Sequence, residues 1–391
     1  MTSLLRFAPL LLGLAALALL EFTPIISWLE IQSTAIVITG LAILSTVVVV
    51  LSKNVADYAD DVSEVIGQPF GTLVLTGSVI TIELALVAST MLKGESNPTL
   101  ARDSMFSVLM IALTGITGIC NIIVAIRQGR MALADDGLID ADELASTNLI
   151  GSNTYFLMIS TMSVLALIIP NFSPTTSEAN FSTPVNVVLS IVAVGVYAIF
   201  LTAQISSYSS LFAEVMPDLS HQEDKPTEED PIKETLQSEE ITGTAPSLQT
   251  SALMLMAGLL VVVLISESMG HLIETGITDL GLPSSLAGAL VALLILAPEA
   301  LNSIQASISG EMQRSINTLY GSVLATVSLT VPAVLAIGEI THTRVILGLD
   351  PFSSVLLVLT LFLLRPMPRL TGIEGLMRLV VFGFWLLLQV F

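Results

Sequence analysis

Apolar residues come in long runs along this chain, separated by short polar segments, and eleven runs are candidate membrane crossings. They lie at about residues 4–20, 33–52, 70–92, 104–127, 150–169, 184–206, 250–275, 283–308, 315–338, 352–365 and 371–391. A helix needs about 20 mostly apolar residues to cross the hydrocarbon core. Lipid tolerates only elements that pair every backbone group internally, which leaves helices and closed barrels. These runs are too long for barrel strands of about 9–11 residues. The pattern therefore predicts an all-α polytopic membrane protein of about eleven transmembrane helices, with the lipid bilayer as its first partner. The first run, Phe7 to Leu20 behind Arg6, also has the length of a signal-peptide core. Ala16 and Ala18 imitate a cleavage site but lie inside the run, which favours a retained helix.

Basic residues give the expected orientation, because Lys and Arg collect in cytoplasmic loops. With the N-terminus inside, Arg6, Lys53, Arg127, Arg130, Lys225, Lys233, Arg314, Arg365 and Arg369 fall on the cytoplasmic side, against Lys93, Arg102 and Arg344 outside. Arg378 alone lies within a span. One segment, 214–240, is polar, acidic and proline-bearing, and such a composition buries too little apolar surface to fold alone. It reads as a cytoplasmic linker. The chain then divides into a first helix over 1–30, five spans over 31–210, a linker over 211–248 and five spans over 249–391.

That division predicts an internal repeat. With Glu83 placed over Glu299, Gly94-Glu95 falls on Gly310-Glu311, and one gap later Ser107 falls on Ser322. Because five is odd, the second set enters the membrane facing the other way. Inverted repeats of this kind build many secondary transporters, with the ion site at the repeat interface near the midplane.

Composition sharpens the class. The chain is 53% hydrophobic and 12% charged, with a net charge of -20 that excludes an electrostatic nucleic-acid partner and suits small cations. The one cysteine, Cys120, and three histidines supply neither a thiolate cluster nor a histidine-rich metal centre, and no cofactor motif is present.

The chemistry is carried by Glu83 and Glu299, each near the middle of an otherwise uncharged span. An acidic residue at that depth costs roughly 2.5 to 3.5 kcal/mol on insertion scales, tolerated mainly where it faces a bundle interior or a wet pathway. Two such carboxylates together hold a dehydrated cation through oxygen ligands. Carboxyl groups that lose water or face a like charge also take protons more readily. A site that holds either the cation or protons, and not both, is what exchange requires. Gly71, Gly77, Ser78, Gly288, Ala297 and Ser303 are small enough for close helix contact. Pro298 is expected to interrupt its helix and free carbonyl oxygens. Thr81, Ser107, Asn302, Gln305, Ser322, Thr326 and Ser328 are candidate oxygen donors, although hydroxyls in membrane helices commonly bond their own backbone.

Two further features carry less. Glu267, His271 and Glu274 share a helix face and form a candidate proton path or a helix end emerging into water. The acidic run 134–143 imitates the latter half of an EF-hand, but Ala132 and Ala134 occupy its first ligand positions, so a solvated loop that concentrates cations is the better reading.

The stretches "GQPFGTLVLTGSVITIELALVAS" and "LAPEALNSIQASISGEMQRSINTLYGSVLATVSLTVP" resemble the paired signatures of the calcium/cation antiporter superfamily, in its cation/proton exchanger branch, and are most like the bacterial ChaA-type members. The resemblance implies that Glu83 and Glu299 carry the cation and the protons. Members usually have Gly-Asn where this chain has Val79-Ile80 and Ile295-Leu296, and a histidine at Ala300; amide ligands give way near Ile111 and Ala325. Calcium usually takes six to eight oxygens, so the departures keep sodium and potassium beside calcium as exchanged ions. The expectation is a non-enzymatic antiporter of a bacterial inner membrane that exports Ca2+, Na+ or K+ for H+ by alternating access. The rival is a passive cation channel with a carboxylate-lined pathway.

Overall fold

The computed structural model describes residues 2–30, 32–66, 70–93, 98–135, 147–173, 179–205, 248–281, 283, 285–367 and 369–390. The acidic segments 136–146 and 206–247, and the Gly94-Glu95 landmark, lie outside the described residues. Among those residues the α-helices are α1 Thr2–Phe22, α2 Ile25–Glu30, α3 Thr34–Ile66, α4 Phe70–Lys93, α5 Leu100–Met110, α6 Thr117–Asp135, α7 Leu149–Ser163, α8 Thr183–Ile205, α9 Leu248–Asp279, α10 Ser285–Ser309, α11 Met312–Ala325, α12 Val331–Thr341, α13 Pro351–Leu363 and α14 Gly372–Val390. A π segment, Ile111–Ile116, joins α5 to α6, and a second, Thr326–Thr330, joins α11 to α12.

Eight of these helical stretches are long and apolar enough to cross a membrane among the described residues, and α13 is a shorter apolar helix. With α1 and α4, 21 and 24 residues long, they account for eleven crossings. The chain is a multi-pass membrane protein.

Two expectations about helix limits change. The second apolar run ends at residue 52, yet α3 continues through Lys53, Asp57, Asp60, Asp61 and Glu64 to Ile66. Its polar end is held by contacts to α1 and α9: Arg6 donates to Asp61, Ser251 Oγ donates to the same carboxylate at 3.2 Å, and Asn54 donates to the Arg6 carbonyl at 3.1 Å. The Arg6 guanidinium also stacks 5.0 Å from the Tyr58 ring centre. Pro298, for its part, does not interrupt α10, which runs unbroken from Ser285 to Ser309. The proline still lacks the N–H that the carbonyl one turn earlier would accept from, so its effect is a missing bond inside a continuous helix.

Helix order repeats along the chain. The long-then-shorter pair α3 and α4, beginning at 34 and 70, recurs as α9 and α10, beginning at 248 and 285. The π segments begin at Ile111 and Thr326, 215 positions apart (111 to 326), the same register that sets Ser107 over Ser322. The four helices of the two pairs pack on one another, with α10 also against α5 and α6.

That last crossing is tight. A Cβ at Gly288 would lie 2.7 Å from backbone atoms of Asp103 and Ser104, whereas at Gly77 nothing comes within 4 Å. Gly288→Val should therefore lower stability by about 1–3 kcal/mol or more, read as a fall in thermal midpoint in detergent, while Gly77→Ala should be nearly silent.

The two π segments have different local causes. Pro332, just after Thr326–Thr330, supplies no N–H to the carbonyl of Ser328, which favours a wider register. Ile111–Ile116 has no proline; side chains occupy its carbonyls instead, Thr114 on Met110, Thr117 on Ala112 and Arg378 on Leu113 at 2.9 Å. Arg378, on α14, is buried and also donates to the Leu363 carbonyl. Arg378→Leu would remove both bonds, each from a charged donor and worth about 1.5–3 kcal/mol, measurable as lost thermal stability of the solubilised protein.

Candidate functional site

Glu83 is 2% exposed and Glu299 9% exposed, on α4 and α10. They occupy matching places: Glu83 is the fourteenth residue of α4 and Glu299 the fifteenth of α10. The two carboxylates lie within range of each other's charge.

Their surroundings differ. Glu83 is fully engaged, with Thr326 Oγ1 donating to Oε2 at 2.9 Å and Thr330 Oγ1 donating to Oε1 at 2.7 Å. Both threonines belong to the second π segment and are completely enclosed. Glu299 has no such pair. Its Oε2 is buried without a hydrogen-bond partner.

The register of the two π segments shows the contrast. In the register of the π segments, Thr326 corresponds to Ile111 and Thr330 to Gly115. Ile111 offers no hydroxyl, and a Cβ at Gly115 would meet the Phe382 ring at 3.1 Å. The half that could serve Glu299 is thus filled with hydrocarbon.

Glu299 faces a small cavity instead, lined by Ser52 and Val55 of α3, Ser78 and Ile82 of α4, and Ile295 and Pro298 of its own helix. The space open to the centre of a water-sized sphere is about 20 Å³, enough for about one water or a similarly sized ion. Ser78 donates to the Val74 carbonyl at 2.7 Å, but Ser52 Oγ is buried without a partner, like the Glu299 oxygen. Two residues that line this cavity thus each carry a buried oxygen without a partner, a state that native interiors rarely leave unexplained.

The other expected donors separate into three groups. Thr326 reaches Glu83. Ser107 and Ser328 are buried, Ser107 donating to the Asp103 carbonyl at 2.6 Å and Ser328 Oγ having no partner, while Ser322 is half-buried. Thr81, Asn302 and Gln305 are exposed, Thr81 spending its hydroxyl on the Gly77 carbonyl at 2.7 Å. These three do not enter the enclosed site. The side chains of Glu267, His271 and Glu274 lie outside the described residues, although their backbones belong to α9. Thr330 and Ser52 were not anticipated; Thr330 carries a readable signal, since it stands four residues after Thr326, one helical turn away.

The sodium/calcium exchanger protein family model matches residues 32–206 and 250–391, both helix sets on either side of the acidic linker. The chain belongs to that family. Within the calcium/cation antiporter superfamily it is 28% identical over 367 residues to the sodium-potassium/proton antiporter ChaA of Escherichia coli (strain K12), spanning 92% of this chain and 91% of that one. Its fold is similar to that of native YfkE, at a TM-score of 0.63 and 15% identity over 97% of this chain and 98% of the other. It is similar too to the H+/Ca2+ exchanger CAX, at 0.58 and 16% over 98% and 88%. The chain is accordingly a membrane cation exchanger, a transporter and not an enzyme.

Proposed function

We propose that the chain exchanges monovalent cations, Na+ or K+, for protons by alternating access, with Glu83 and Glu299 as the shared cation and proton site. One observation carries the reading: two enclosed carboxylates stand at matching places on repeated helices, and only one has its oxygens committed. Glu83 is held in place by two hydroxyls. Glu299, which lines the cavity, has a carboxylate oxygen without a partner and takes up either the cation or a proton. The modest oxygen count favours a monovalent ion over calcium, which usually takes six to eight ligands. No group of three or more His, Cys, Asp or Glu side chains suited to a metal occurs among the described residues. The ions named for the Escherichia coli relative, sodium and potassium against protons, support the same choice.

The domain plan is part of the proposal: a first helix over 1–30, helix sets over 31–210 and 249–391 of opposite orientation, and a cytoplasmic linker over 211–248. The membrane is a bacterial inner membrane with the N-terminus inside, as the Lys and Arg distribution supports. Rocking one set against the other would open the site to alternate faces.

The test is proton movement in inverted vesicles holding a proton gradient, with sodium, potassium or calcium added separately. Antiport predicts collapse of the gradient by sodium or potassium at lower concentrations than by calcium. Cation flux without proton movement would instead make the protein a channel, and preference for calcium would overturn the assignment of monovalent ions.

A further inference from the structure

α1 meets α3 and α9 closely at Gly13, where a Cβ would lie 2.8 Å from Leu51 and 3.1 Å from Val261. Beyond that crossing, from Ala16 of α1 and Val47 of α3 onward, a groove lies between these helices and the short α2. The space in it open to the centre of a water-sized sphere is about 390 Å³. Leu29, Leu44 and Leu272, from three different helices, line it while being only 9%, 6% and 1% exposed, so it is a recess and not simply an outer face. Thr39 is the one polar side chain among the described residues that line it, and its hydroxyl is spent on the Ala35 carbonyl at 2.7 Å. Water needs polar partners to fill such a space, and the groove offers none.

The membrane supplies an occupant of the right length. Along α3 the groove runs from Ile36 to Val47, eleven positions (36 to 47) at about 1.5 Å each, or about 16 Å. That is about half of a hydrocarbon core about 30 Å thick, the depth that one lipid chain spans. Trp28 of α2 is exposed at the end where α1 turns toward α3, and tryptophan collects at the level of the headgroups. Charge narrows the choice of headgroup. Between Arg6 and Lys53 the chain carries Glu21 and Glu30 and no basic residue. Glu21 is exposed and directly follows Leu20, which lines the groove. An acidic group at headgroup level repels anionic lipids and attracts an ammonium.

We propose that this groove binds one acyl chain of a phospholipid with an amine-bearing headgroup, phosphatidylethanolamine in kind, whose ammonium pairs with Glu21. A chain seated there restores the dispersion contacts that Leu29, Leu44 and Leu272 forfeit over an empty recess. The lipid thereby joins α1 and α2 to α3, the helix that goes on to line the Glu299 cavity with Ser52 and Val55. The site is the same whichever ion is exchanged.

For the test, purified protein is stripped of lipid in detergent, titrated with phosphatidylethanolamine or phosphatidylglycerol of identical chains, and weighed by native mass spectrometry. One phosphatidylethanolamine per chain is expected, held a few-fold more tightly than phosphatidylglycerol. Ala16→Phe and Thr39→Phe fill the groove from α1 and α3 and should each weaken that binding about tenfold or more, the equivalent of two lost methylene contacts. Glu21→Lys should leave the groove intact and turn the preference toward phosphatidylglycerol. Neither Ala16 nor Thr39 is buried, and an unchanged or raised thermal midpoint in lipid-free detergent shows that each filling variant is folded. Equal binding by the wild type and both folded filling variants would overturn the proposal. So would equal affinity for the two lipids in the wild type and Glu21→Lys, or a lipid-free dimer in which a second copy of the chain covers the groove.

Discussion

Glu299→Gln is expected to remove cation-driven proton movement almost entirely while leaving the protein folded in the membrane. Glutamine keeps the size of the side chain and the continuity of α10, so α3, α4 and α5 retain their contacts. What disappears is the one carboxylate oxygen left uncommitted beside the Ser52 and Ser78 cavity. Removing one partner of a buried charge interaction typically costs about 3–5 kcal/mol, equivalent to a factor of roughly 10² to 10⁴ in apparent cation affinity. A glutamine also takes no proton in the working range, so the exchange cycle has no second form to pass through. The measurement is proton release from inverted vesicles across a sodium or potassium titration, normalised to the amount of inserted protein. Activity within a few-fold of the wild type would remove Glu299 from the centre of the mechanism.

The second large effect is expected at a pair of residues with no charge. Thr326→Val with Thr330→Val preserves the shape of the π segment but strips Glu83 of both hydroxyl donors. Hydrogen bonds to a charged group contribute about 1.5–3 kcal/mol each, so losing both should raise the cation concentration for half-maximal exchange by roughly 10² to 10⁴-fold. Thr326→Ser with Thr330→Ser keeps both hydroxyls and should stay near wild type. That pairing separates anion orientation from simple packing: if the valine and serine variants behave alike, Glu83 does not depend on these donors.

Most of the helical architecture is legible in the chain because hydrophobic length is a strong signal in lipid. Each of the eleven apolar runs finds its helix. The continuation of α3 to Ile66 is not legible, because Lys53, Asp57 and Asp61 look like a loop until Arg6 and Ser251 are brought beside them from distant parts of the sequence. Pro298 misleads for the opposite reason: a local rule about proline is overridden by packing on both sides of α10. At the site, the depth of Glu83 and Glu299 in uncharged spans points to the chemistry. The polar neighbours are harder, because the direction of a side chain around a helix decides everything. Asn302 and Gln305 are close to Glu299 along the chain yet exposed, whereas Thr330 is 247 positions from Glu83 and bonded to it.

The unequal dress of the two carboxylates, threonines on one and isoleucine and glycine opposite the other, bears on the resting state of the carrier. Were the halves chemically identical, exchanging their conformations would produce two end states of equal energy, and an empty molecule would divide its time evenly between the two faces of the membrane. On the antiport proposal, a pair of hydroxyls present on one half only would break that degeneracy, so the two end states of the unloaded carrier would differ in energy before any gradient is applied.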